Sequence, residues 1–193
     1  MHTRYIPWFV LVASTLTGCT VAPTAGISSV PQATASPSLV DAPPGDYRKF
    51  SSKIDASLTG RLKTMRVVTK AVRLQPSKEW APTIIFCLKN NKNGGEYCLN
   101  TYAVKDGTRI VAKFVNKEAE FNDVITTRLP FDLAPADYHY LDLMFSEDKL
   151  IMIIDDEKVV DHPVHGLMDE YWFGCSSIIC SVQVIYPFSP PTD

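Results

Sequence analysis

The chain has 193 residues, 46% of them apolar and 21% charged, with 19 Lys and Arg against 21 Asp and Glu and a net charge of −2. That is enough length and hydrophobicity for one packed domain with a real core. A near-neutral balance without a basic run, a Gly-rich phosphate loop or a long amphipathic pattern argues against nucleic acid as a partner.

The N-terminus carries one strong positive charge, Arg4, ahead of the apolar run 6–13. The run is too short, and too closely followed by small and polar residues, to cross a bilayer as a permanent helix; it has the make-up of an export signal. It closes on Leu16-Thr17-Gly18-Cys19, which resembles the lipobox of bacterial lipoproteins. The resemblance implies a signal peptide over residues 1–18, cleavage before Cys19, and diacylglycerol and further acyl chains such as palmitate on Cys19. Each buried methylene contributes about 0.8 kcal/mol, so two or three chains anchor a protein to its membrane almost irreversibly. Thr20 in place of Asp implies, by the sorting rules of Gram-negative lipoproteins, the outer membrane, with the domain facing the periplasm or the outside. An ordinary signal peptide or a buried N-terminal segment is the alternative.

Residues 19–45 read as the lipidated cysteine and a flexible tether. The stretch is Ala, Ser, Thr, Pro and Val with almost no charge, and cannot bury enough apolar surface to offset its ordering entropy. Residues 46–188 then read as one domain, and 189–193 as a C-terminal tail.

The expected strands are 53–58, 66–74, 83–89, 96–104, 109–116, 124–128, 138–145, 150–155 and 181–186, all rich in β-branched and aromatic residues. Asp106-Gly107 and Ser146-Glu147-Asp148-Lys149 read as hairpin connections. Many short strands and no long helical pattern predict an all-β fold, a two-sheet antiparallel β-sandwich or jelly roll.

Besides Cys19 there are four cysteines, Cys87, Cys98, Cys175 and Cys180. In an exported chain an even number reads as disulfides. Four cysteines allow three pairings, and sequence distance favours Cys87 with Cys98 and Cys175 with Cys180. The first pair brackets Asn90-Asn91-Lys92-Asn93-Gly94-Gly95, a turn signal that sets the two cysteines opposite each other on a hairpin. The spacings lack the paired C-x-x-C of zinc sites, and neither a metal site nor a cofactor is expected.

Four motifs in order resemble glycoside hydrolase family 16, of the concanavalin A-like lectin and glucanase superfamily. Glu79-Trp80-Ala81-Pro82-Thr83-Ile84-Ile85-Phe86 is similar to that family's Trp-Pro-aromatic strand. Gly95-Glu96-Tyr97-Cys98-Leu99-Asn100-Thr101 stands where it has its catalytic Gly-Glu-x-Asp-x-Glu motif. Residues 137–155 resemble its later hairpin, and Ser181-Val182-Gln183-Val184-Ile185-Tyr186 its closing strand. The resemblance spans about residues 66–186 and implies a concanavalin A-like jelly roll.

It also implies a departure in chemistry. A retaining glycosidase needs two carboxylates about 5–5.5 Å apart, one to attack the anomeric carbon and one to protonate the leaving oxygen. Alternation puts Glu96, Cys98, Asn100 and Tyr102 on one face, by resemblance the concave, sugar-facing one. Glu96 occupies the nucleophile position and is the one catalytic candidate; Cys98 replaces the middle Asp, and Asn100 or Thr101 replaces the acid/base. A Cys87–Cys98 bond would lie on the floor of the cleft. Hydrolysis of the family's kind is therefore expected to be absent.

Sugars stack their C–H faces on aromatic rings and direct hydroxyls to polar partners, so Trp80, Glu96, Tyr97, Asn100 and Tyr102 are the candidate ligand-binding residues. Glu118, Glu120 and Asp123 reproduce the spacing of the catalytic carboxylates but fall in a polar segment read as a solvated loop. Asp161-His162-Pro163-Val164-His165 gathers possible metal ligands, but Pro163 and Gly166 mark it as a loop lacking a further ligand. His139 reads as a hydrogen-bonded structural histidine. Three functions follow: a non-catalytic module binding a polysaccharide, a scaffolding lipoprotein for an envelope protein partner, and an atypical glycoside hydrolase.

Overall fold

Side chains that alternate between apolar and polar form strands because a strand presents successive residues to opposite faces. The computed structural model describes residues 33–34, 36–55, 62–118 and 123–188. In chain order these form β1 (Ala33–Thr34), β2 (Ser38–Lys53), β3 (Lys63–Leu74), β4 (Thr83–Lys89), β5 (Glu96–Ala103), β6 (Ile110–Glu118), β7 (Asp123–Leu133), β8 (Tyr138–Phe145), β9 (Lys149–Ile154), β10 (Glu157–Pro163) and β11 (Glu170–Tyr186). No helix occurs among the described residues. Cys19, the segment read from sequence as the signal, most of that read as the tether, and the tail 189–193 lie outside them.

One hydrogen-bonded path runs β10-β9-β8-β3-β11-β4-β5-β6-β7, with β1 and β2 also paired to β11. It makes two layers because β11 belongs to both: residues 170–176 pair with β4 and residues 178–185 with β3. At the change-over Ser177 adopts a left-handed φ of 52°. β2 runs along the other side of both halves, 47–53 against the first and 38–42 against the second. Pro43-Pro44-Gly45 breaks it at the same level, and the Gly45 amide donates to Ser177 Oγ at 2.9 Å. Phe86, Leu88, Leu99 and Phe114 of one layer and Met65, Val67, Leu143 and Met152 of the other are buried in a single core. The expected two-sheet antiparallel sandwich is therefore what the chain forms.

Three expectations need correction. The strand placed at 53–58 lies upstream, at Ser38–Lys53, so the domain boundary at 46 falls inside β2 and the last residues read as tether are strand. Two prolines and a mostly exposed, charged second half hide it, a pattern that an edge strand tolerates. The segment around His162, read as a loop, is β10, whose Pro163 ends the pairing with β9. β11 begins at Glu170 rather than Ser181, because its first half is a continuous apolar and small-residue run. A connection missed by sequence reading joins β9 to β10, where Asp155 and Asp156 both take positive φ, 49° and 68°, the requirement of a two-residue hairpin turn.

Both disulfides follow the short-range pairing. Cys87 and Cys98 face each other across β4 and β5 and are bonded. Cys175–Cys180 is bonded across the bend in β11.

Candidate functional site

The outer face of the β4-β5-β6 layer is built in rows by the strand registers. Lys53, Glu170, Lys89, Glu96 and Lys117 make one row; Ser51, Trp172, Cys87, Cys98 and Val115 the next. Lys49, Gly174, Ile85, Asn100 and Lys113 follow, then Tyr47, Ser176, Thr83 and Tyr102. Glu96, Cys98, Asn100 and Tyr102 thus share this face, as alternation required, and the Cys87–Cys98 bond lies buried on its floor against Val115 and Trp172.

Tyr97 is not on it. The same alternation turns Tyr97 inward, where it is 1% exposed, so its place among the ligand-binding candidates is corrected. Its hydroxyl donates to Glu118 Oε1 at 2.6 Å; burial first and Glu118 second push the phenol well above its usual range. Glu118 accordingly ends β6 rather than lying in a solvated loop. Glu120 lies outside the described residues, as does the Asp123 side chain.

Glu96 occupies one end of the face. Trp172 Nε1 donates to its Oε1 at 3.2 Å, and Lys117 Nζ stands 3.4 Å from its Oε2. The carboxylate that shares its row, Glu170, is two strands away with Lys89 between, about 10 Å at a strand spacing of roughly 4.8 Å. Hydrogen bonds from Asn91 and then Lys53 hold Glu170 below its usual carboxylate range, which disfavours the protonated form an acid catalyst needs.

The opposite end of the face is a cleft. Tyr47, Trp80, Ala81, Thr83, Ile85 and Ser176 line an open depression of 310 Å³. Trp80 is 46% exposed and Tyr47 36% exposed. The Trp80 loop is closed by Ser77, whose Oγ accepts from the Trp80 amide at 2.9 Å. Trp80 also walls a second cleft of 260 Å³ over Pro76, Lys78 and Val104. Ser176, 5% exposed, has a buried Oγ without a hydrogen-bond partner, and so does Asn100 Oδ1, opposite Ile85. Orphaned buried oxygens are uncommon in native folds, where an ordered water commonly completes the bonding. Tyr47 was missed by sequence reading because it lies in the segment assigned to the tether boundary and reaches the cleft only through pairing with Ser176.

The other candidates are structural. His139 shares a hydrogen bond through Nδ1 with Asp155 at 2.8 Å and through Nε2 with the Ala134 carbonyl at 2.9 Å, in the role expected of it. Asn116 Nδ2 meets His162 Nε2 at 2.9 Å, and Asp161 pairs with Lys149 and Lys158. Among the described residues no three of His, Cys, Asp and Glu are grouped to hold a metal ion. On the outer face of the other layer Tyr138 and Tyr140 are exposed beside Lys70 and Arg66.

No protein-family model and no curated protein sequence matches the chain. Solved structures do. A tetrameric galectin from Cinachyrella sp., a ball sponge, superposes with a TM-score of 0.55 at 10% identity over 73% of this chain and all, 100%, of the galectin. Apo Crh5 transglycosylase superposes with a TM-score of 0.54 at 13% identity, over 81% of this chain and 73% of that one. The same transglycosylase in complex with NAG gives 0.54 at 12% identity over 80% and 73%. These likenesses show the fold alone, the two-sheet antiparallel β-sandwich that the chain shares with those structures.

Proposed function

We propose that the protein is a glycan-binding module, with its site in the cleft between Tyr47 and Trp80. One observation carries the reading: two exposed aromatic rings, Tyr47 and Trp80, wall a single open depression on this face, with Ser176 between them. A pyranose offers an apolar C–H face to such rings. The neighbours include a galectin and a transglycosylase solved with NAG, which fits the reading. Of the residues proposed from sequence, Trp80, Asn100 and Tyr102 fall at this end; Glu96 is at the other end of the face.

The module acts without hydrolysis. Glu96 is engaged by Trp172 and Lys117, and Glu170, the carboxylate that shares its row, lies two strands away, about 10 Å, where a retaining mechanism requires about 5–5.5 Å. Retention on immobilised polysaccharides tests binding: Trp80→Ala and Tyr102→Ala each weaken it about tenfold or more while leaving the unfolding transition in place. Unchanged retention in both variants rejects the site. Release of reducing ends from a glycan panel, abolished in Glu96→Gln, would instead make the protein a hydrolase.

The lipobox-like Leu16-Thr17-Gly18-Cys19 supports an envelope location, with the mature chain held in the outer membrane through lipid on Cys19. Palmitate labelling and detergent partitioning, both lost in Cys19→Ser, test this. A second reading, docking of an envelope protein, is favoured by exposed Tyr138 and Tyr140 on the opposite layer; it requires Tyr138→Ala with Tyr140→Ala to release a partner without altering glycan retention.

A further inference from the structure

Although the chain is net negative, the face that carries the cleft is not. The registers bring Lys49, Lys53, Lys89, Lys113, Lys117 and Arg128 onto it, against Glu96 and Glu170 as its central carboxylates. Those two carboxylates are taken by Lys117 and Lys53. Arg128 leans toward Asp132 at 3.8 Å. Among the described residues no carboxylate pairs with Lys49 or Lys113: Lys49 Nζ sits 4.1 Å over the Trp172 ring and Lys113 Nζ 5.2 Å over the Tyr102 ring.

These two lysines occupy the two sides of one row whose middle is small, apolar or amide-bearing: Gly174, Ile85 and Asn100. The row adjoins the cleft. Its Asn100 carries one of the unpartnered oxygens, and Ser176, one row on, carries the other. A ligand lying in the cleft and extending across Asn100 therefore passes between two ammonium groups whose partners among the described residues are aromatic faces. A cation over an aromatic face keeps its charge and its attraction for an anion. A neutral sugar chain gains nothing from them; one bearing carboxylate or sulfate groups does.

Resting on the glycan-binding reading, we propose that the ligand is an anionic polysaccharide, its pyranose ring seated under Trp80 and Tyr47 and its acidic groups met by Lys49 and Lys113. The chemistry recognised is an anion carried on a sugar ring, whether a uronate carboxylate or a sulfate ester.

The test uses the purified protein and charge-matched polymer pairs: polygalacturonate against its methyl ester, and dextran sulfate against dextran. The expected result is retention on at least one charged polymer and at least about tenfold weaker retention on its uncharged twin. Binding falls as salt rises from about 50 mM to about 500 mM, where the Debye length shortens to a few ångström. The charged polymer that binds identifies the anion. Lys49→Gln with Lys113→Gln lowers retention about tenfold with an unchanged circular dichroism spectrum, whereas Lys70→Gln, on the other layer, leaves retention as it was. Equal, salt-insensitive binding to both members of each pair overturns the anionic ligand and leaves the glycan reading standing. No retention on any charged or neutral carbohydrate overturns both.

Discussion

The phenol of Tyr47 lies on Gly174, so close that a Cβ built on the glycine would stand 2.7 Å from Tyr47 Cζ. β2 and β11 pair so that Tyr47 sits opposite Ser176, and the ring leans along the strand over the next residue on the same face. The absence of a side chain at 174 is thus what lets one of the two cleft aromatics lie down. Burial, and after it the charge of Glu96, raises the Tyr47 phenol above its ordinary value of 10.0.

Gly174→Ala is expected to separate binding from stability. The clash falls on the far end of the Tyr47 side chain, so the ring swings outward, at a stability cost of about 1 kcal/mol, the low end for an added methyl. Glycan retention drops, and the Tyr47 phenol titrates closer to its ordinary value. A spectrophotometric phenol titration alongside retention checks both; an unshifted titration would show that the ring had not moved.

The two disulfides should contribute unequally. Cys87 and Cys98 are 11 residues apart and Cys175 and Cys180 are 5 apart, and loop-closure entropy gives about 3 kcal/mol for the first and about 2 kcal/mol for the second. Urea unfolding of Cys87→Ala with Cys98→Ala, against Cys175→Ala with Cys180→Ala, measures the difference. The first pair also supports the floor of the binding face, so its loss is expected to reduce glycan retention as well.

Glu170 should give the fold an acid-side dependence. Its carboxyl is lowered below 4.5 by Asn91 and Lys53, so the stabilisation it supplies is fully present above that value. It is lost as pH falls through the lowered value, because the unfolded chain then binds the proton more readily. Urea midpoints from about pH 6 to about pH 3 are expected to decline less steeply in Glu170→Gln than in the unsubstituted protein.

Arg66→Lys tests the other layer. The guanidinium donates through Nε and one Nη to both carboxylate oxygens of Asp142, each at 2.6 Å, and stacks 4.2 Å over Phe188. A lysine keeps the charge but neither the fork nor the stack, and the loss is expected to be about 1–2 kcal/mol. Thermal unfolding checks this, with glycan retention unchanged because the pair lies on the face away from the cleft.

How much of this was readable in advance depends on the range of the interaction. Eight of the expected strands lie on observed ones, because period-two alternation is local: it places Cys98, Asn100 and Tyr102 together without knowledge of their neighbours. Applied strictly it also excludes Tyr97 from that face, and the structure enforces the exclusion through burial and Glu118. β10 was obscured by Pro163, and β2 by Pro43 and Pro44, since breakers stop a local pattern even where a distant partner restores the strand.

The chain alone therefore determined what neighbouring residues decide: an all-β sandwich, the hairpin disulfide at Cys87 and Cys98, the structural role of His139, and the face shared by Glu96 and Asn100. Tertiary structure decided what residues far apart decide together. Gly45 meets Ser177 across 132 positions, β11 bends there into both layers, and only that bend carries Ser176 beneath Tyr47 and beside Trp80. No local period encodes such a meeting, because the energy that selects it comes from burying two sheets against each other.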